Sequence, residues 1–95
     1  MTKQTEPLEI LVVDDLAENR NAAKEYFSTL GNVKVDFAES YIEGLAKLQE
    51  NVYAAAIFDL ELPKLEGGKP EKLGFELAKE AAKYAVVGKT FSFLL

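Results

Sequence analysis

Three carboxylates stand where chemistry would be expected. Asp14 and Asp15 close the apolar run Ile10-Leu11-Val12-Val13, and Asp59 closes Ala54-Ala55-Ala56-Ile57-Phe58. If the two runs are neighbours in one sheet, the three side chains converge at one edge. Two unit charges ~4 Å apart repel by ~4 kcal/mol at an effective dielectric near 20, so such a cluster needs a cation or a proton. With oxygen ligands only, the natural guest is a hard divalent ion such as Mg2+. Each acid also has a plainer reading. Asp15 sits where it would cap a helix, worth ~1 kcal/mol; Asp14 would be a solvated strand-end carboxylate, and Asp59 would end a strand before a turn.

The rest of the composition narrows the chemistry. The 95 residues contain no Cys and no His, which excludes disulfides, thiolate nucleophiles, cysteine-ligated zinc and the commonest general base. Hydrophobic residues at 48% suffice for one domain with a core, and a net charge of −5 argues against direct binding of nucleic acid or anionic membrane. Residues 1–7 are polar with no signal-peptide core, and no apolar stretch reaches membrane-spanning length. A cytoplasmic domain is the expectation.

The elements that must position the acids alternate. The run 8–13 is short and apolar throughout, as in a strand buried on both faces of a parallel sheet. Asp15-Leu16-Ala17-Glu18 has capping-box spacing and predicts a helix through Leu30, stopped by Gly31, with Ala23, Tyr26, Phe27 and Leu30 on its apolar side. Val33, Val35 and Phe37 alternate with Lys34 and Asp36, the period of a half-exposed edge strand. Ser40-Tyr41-Ile42-Glu43 is a second capping box, opening a helix to about Gln49 with Tyr41, Leu45 and Leu48 on one side. A third strand is expected over 53–58 and a long surface loop over 61–74. A helix over about 73–84 follows, burying Leu73, Leu77, Ala81 and Tyr84, and then a fourth strand over 90–95. Strands separated by helices imply right-handed crossovers and a parallel α/β sheet with helices on both faces.

Together these residues resemble the receiver domain of two-component response regulators. The resemblance covers about Leu8 to Leu95. Its strongest part is Ile10-Leu11-Val12-Val13-Asp14-Asp15, followed 44 residues beyond Asp15 by Phe58-Asp59-Leu60-Glu61-Leu62-Pro63. Gly31, Ala38 and Glu43-Gly44-Leu45 also fall at family-like positions. The resemblance implies a flavodoxin-like, doubly wound sheet of order 2-1-3-4, with the fifth strand and last helix absent, so that residues 1–95 form a C-terminally incomplete receiver. It implies a phosphoacceptor module, a signalling switch rather than a turnover enzyme. Asp59 would be the phosphoacceptor, Asp15 the direct magnesium ligand, Asp14 a second acidic residue reaching the metal directly or through water, and the Glu61 backbone carbonyl a further ligand. The implied partners are a sensor histidine kinase or phosphotransfer protein and an output domain or partner protein.

The chain departs from the family in three ways. Receivers carry a Ser or Thr after strand four and a Lys after strand five; Thr90 and Ser92 lie too early for the first, and Lys64, Lys69 and Lys72 fall in the long loop. Phe91, Phe93, Leu94 and Leu95 would line an apolar sheet edge, covered either by a longer parent chain, the favoured expectation, or by self-association. The glycine that opens the third helix is either Gly67 or Gly74, the second implying an insertion of about seven residues.

Rival functions follow from these departures. A receiver-shaped interaction module independent of phosphorylation would not need the absent hydroxyl and lysine. An aspartyl phosphatase would want Asp-x-Asp where the chain has Asp59-Leu60-Glu61. Gly88-Lys89-Thr90 mimics the end of a Walker loop, but Lys83 replaces its first glycine and the element order is reversed.

Overall fold

The structure, a computed structural model, describes residues 7–88 and 91–94, with side chains described through Lys83. Four parallel strands form the main sheet: β1 (Leu8–Val13), β2 (Val33–Ala38), β3 (Ala55–Phe58) and β6 (Phe91–Leu94), in the order β2-β1-β3-β6. This is the expected 2-1-3-4 order. β2 is an edge strand, as its alternation required. β1 registers Val13 against Ala38 on one side and against Phe58 on the other.

Helices cover both faces. On one side α2 (Tyr41–Glu50) and α3 (Gly74–Gly88) pack over Leu11, Val13, Ala56 and Phe58, burying Leu48, Leu77 and Ala81 with them. Gly44 makes this approach possible, because a Cβ there would lie 2.8 Å from Leu77 Cδ2 and 3.1 Å from Val13 Cγ2. On the other side α1 (Ala17–Ser28) faces Val12 and Ile57 across a cleft that its Ala22 and Ala23 also line. The second capping box forms: Ser40 Oγ accepts from Glu43 N–H at 3.2 Å. Its reciprocal bond is shifted one residue, with Glu39 N–H donating to Glu43 Oε1 at 2.8 Å.

Several expectations need correcting. α1 ends at Ser28, not Leu30, and none of its residues is buried. Tyr26 and Leu30 are more than half exposed, at 62% and 53%; Ala23 and Phe27 are half-buried. A single helix laid across a sheet face shields only the residues beneath it. Asp15 caps nothing: the N-cap position is Leu16, with no side-chain bond to the first turn. β3 begins at Ala55 rather than at residue 53, because Tyr53 turns into the core and donates its hydroxyl to Asp36 Oδ2 at 2.8 Å.

The segment 61–74 is also more than a surface loop. Its β4 (Leu62–Pro63) and β5 (Pro70–Glu71) pair antiparallel, and Leu62 and Pro63 are buried. The structure chooses Gly74 as the helix-opening glycine: its N–H donates to the Leu60 carbonyl at 2.9 Å, and a Cβ there would overlap the Asp59 carbonyl oxygen. The expected burial of Tyr84, the apolar edge of Phe91, Phe93 and Leu94, the residues Thr90 and Leu95, and the side chain of Ser92 lie outside what is described.

Candidate functional site

The register of β1 and β3 brings the acids together. Val13 and Phe58 are partners, Asp59 N–H donates to the Val13 carbonyl at 2.9 Å, and Asp14 N–H donates to the Ala38 carbonyl at 3.0 Å. Both strands therefore end at one level. One carboxylate oxygen from each of Asp14, Asp15 and Asp59 lies within 4.8 Å of the others. Open parallel sheets present ligand sites beyond the carboxyl ends of their strands, and this cluster stands there.

The three acids differ in environment. Asp14 is buried and fully engaged. Its Oδ1 accepts from Leu16 N–H at 2.9 Å, its Oδ2 from Asn19 Nδ2 at 3.1 Å, and its carbonyl from Arg20 Nη1 at 2.8 Å. Arg20 also pairs with Glu39 at 3.5 Å, tying α1 to the segment after β2. Asp15 and Asp59 are half-buried. Burial raises the Asp59 pKa; the Glu61 N–H, 3.3 Å from Oδ1, pulls it down, while Asp14, Asp15 and Glu61 push it further up. The net shift is upward. Among the described residues, no basic side chain stands against Asp59 to neutralise this assembled negative charge.

Two clefts meet at Asp59. One of ~440 Å³ is lined by Asp15, Leu16, Asp59, Leu60, Glu61 and Pro70. The other, ~320 Å³, runs under α1 past Val12, Ala22, Ala23 and Ile57. Among the described residues, none of those lining either cleft is a serine, threonine or lysine. The donor set is all oxygen, which suits a hard divalent cation.

Sequence reasoning anticipated Asp14, Asp15 and Asp59 and put Glu61 beside them, where it lines the same cleft. It missed Asn19, Arg20, Glu39 and Pro70. The first two carried a signal: at five and six residues past Asp14 they fall in the first turn of α1, within reach of the strand end.

No family model matches the chain. Over 62 residues, 65% of this chain and 27% of the relative, it is 32% identical to the response regulator Rre1 of Synechocystis sp. (strain ATCC 27184 / PCC 6803 / Kazusa). A CheY-like response regulator receiver domain protein from Methanospirillum hungatei JF-1 superposes with a TM-score of 0.74 and 29% identity, over 94% of this chain and 65% of that one. The fold is that of a response-regulator receiver domain.

Two further structures share that fold at lower identity. The receiver domain of a sensor histidine kinase from Pseudomonas aeruginosa PAO1, with a magnesium ion coordinated in its active site cleft, gives a TM-score of 0.63 at 24% identity over 78% of this chain and 54% of that one. A sulfate-bound aspartate-to-alanine mutant of the response regulator MaeR gives 0.72 at 13% identity over 94% and 66%. This receiver-like chain spans 65% of the Methanospirillum protein and 27% of the Synechocystis regulator. No helix among its described residues is long and apolar enough to cross a membrane.

Proposed function

We propose that the chain is the phosphoacceptor receiver module of a cytoplasmic two-component phosphorelay, taking a phosphoryl group on Asp59 from a sensor histidine kinase or phosphotransfer protein. The observation that carries this reading is the meeting of Asp14, Asp15 and Asp59 within 4.8 Å at the strand ends. Asp15, Asp59 and the Glu61 carbonyl would hold Mg2+, with Asp14 reaching it directly or through water. The ion supplies neutralisation of the charge on the transferred group, whose loose transition state leaves the protein mainly positioning to do.

The chain's own residues have distinct parts in this. A carboxylate oxygen of Asp59 attacks phosphorus and forms an acyl phosphate as the donor's bond to phosphorus breaks and its leaving group departs with the bonding pair. Leu16 N–H and Asn19 hold Asp14 still, and Arg20 fixes its backbone. The phosphoryl group brings roughly −1.5 to −2 charges to the sheet edge and biases the surface presented to an output domain or partner. This is a switch, not a turnover enzyme.

The test is Mg2+-dependent labelling by phosphoramidate, a small phosphodonor, expected for the native chain and lost in Asp59→Asn. A second reading, a receiver-shaped interaction module that does not use phosphorylation, is favoured by the absence of hydroxyl and lysine side chains among the described residues that line both clefts. Absence of labelling with magnesium binding intact would decide for it.

A further inference from the structure

The β4–β5 hairpin is the feature that this chemistry leaves unused. Its roots are fixed. Leu62 and Pro63 are buried, the Lys64 carbonyl accepts from Ile42 N–H of α2 at 3.1 Å, and Gly74 N–H is bonded to the Leu60 carbonyl. Antiparallel pairing sets Pro70 opposite Pro63. Pro70 thereby joins Leu16 and Leu60 around the cleft that holds Asp15 and Asp59, although it lies eleven positions beyond Asp59. Leu16 and Leu60 are themselves exposed, at 49% and 39%. The acidic cleft therefore has an apolar rim, and one side of it is a proline ring with fixed φ and no N–H to offer a ligand.

We propose that Pro70 is a specificity-determining residue, the hairpin's wall on the cleft, which limits the bulk of the leaving group a phosphodonor can carry to Asp59. This rests on Asp59 being the phosphoacceptor. In the transfer an Asp59 oxygen forms its bond to phosphorus as the P–N bond of an N-phosphoryl donor breaks. The bonding pair departs with a nitrogen group that already carries its proton, as ammonia from phosphoramidate or imidazole from protonated phosphoimidazole. Attacking and leaving atoms stand roughly in line. The leaving group must consequently point away from Asp59, toward the mouth that Leu16, Leu60 and Pro70 surround.

The experiment compares labelling rates with phosphoramidate and phosphoimidazole in the full chain, in Pro70→Gly, in Pro70→Trp, and in Lys69→Ser, whose position does not line the cleft. Manganese(II) affinity is measured in parallel and reports the acidic floor without any transfer. The phosphoimidazole-to-phosphoramidate ratio is expected to rise roughly threefold or more in Pro70→Gly and to fall by a similar factor in Pro70→Trp. Lys69→Ser should leave it unchanged, and manganese affinity should stay within about twofold throughout. Pro70→Ala replaces the glycine variant if that one loses metal affinity. Equal ratios in all variants, with labelling intact, overturn the wall alone. Intact manganese binding with no labelling of the native chain by either donor overturns the phosphoacceptor reading, and this inference with it.

Discussion

Asp15→Asn is expected to change stability in opposite directions with and without metal. At 4.8 Å and an effective dielectric near 20, each pair among the three carboxylates repels by about 3.5 kcal/mol. The substitution keeps the side chain's shape and removes two of those three pairs. Asp15 and Asp59 are half-exposed, so water and salt reduce the gain to roughly 1 kcal/mol. No cap is lost, because Asp15 does not serve as one. In chelator the variant should therefore unfold at higher urea than the native chain. In magnesium at ~100 times the native Kd, binding stabilises the native chain by about 2.7 kcal/mol. A variant bound roughly 100-fold more weakly gains only about 0.4 kcal/mol, and the order of stabilities reverses.

Urea titrations followed by circular dichroism, in chelator and in magnesium, read both effects; calorimetry gives the affinity directly. Asp59 adds a pH signature. Its pKa is raised above the ordinary 3.8, by burial first and by Asp14 and Asp15 next. In the metal-free protein the fold thus favours the protonated acid. That contribution is complete below the ordinary value and disappears as pH rises through the raised one. Removing the Asp15 charge should make this decline shallower. Undiminished magnesium affinity in Asp15→Asn, or a loss of stability in chelator, would refute the reasoning that these carboxylates share a cation.

Gly74→Ala should cost more than about 3 kcal/mol in a thermal melt, since its Cβ would overlap the Asp59 carbonyl and lie 2.7 Å from Leu60 Cα. Gly67→Ala, at φ +82° but with open space around it, should cost only about 1 kcal/mol. Tyr53→Phe removes a phenol whose pKa is raised from 10.0 by burial and by Asp36. The native chain should lose stability as pH rises above about 10, where only the unfolded tyrosine ionises, and the phenylalanine variant should lose less. Urea midpoints on either side of that pH check the sign. Ser40→Ala removes the α2 cap and should cost about 1 kcal/mol with magnesium affinity unchanged, which parallel urea and calorimetric titrations would show.

What was legible from sequence was what repeats locally. Uninterrupted apolar residues placed β1, alternation placed β2 at an edge, and Ser40 with Glu43 placed the start of α2; each signal lies within a few neighbouring residues. The acidic site was legible for the same reason, because strand ends carry their terminal residues with them. α1 misled because Tyr26 and Leu30 sit at helical spacing from the half-buried Ala23 and Phe27, yet burial depends on what covers the helix, which spacing does not encode. The hairpin was hidden more deeply. Two strands of two residues have no period to detect, and Pro70 reaches the cleft only through its pairing with Pro63. Choosing between Gly67 and Gly74 likewise required the distance to the Asp59 carbonyl, a contact across fifteen residues.

The different treatment of the three acids shows where at the sheet edge a cation would be most needed. Asp14 has given its two oxygens to Leu16 N–H and Asn19, and its carbonyl to Arg20. These bonds hold Asp14 in place whether or not a cation is present. Among the described residues, Asp59 has the longer bond from Glu61 N–H set against burial and the charges of Asp14, Asp15 and Glu61. The unmet demand for positive charge is therefore concentrated on Asp59 and the half-buried Asp15 beside it. That division follows from where the chain starts its first helix. Because α1 begins one residue beyond Leu16, its first turn supplies donors to Asp14 and leaves Asp15 outside the helix. An Asp15 that capped α1 would have spent an oxygen on the backbone and weakened the one demand that a hard cation can meet.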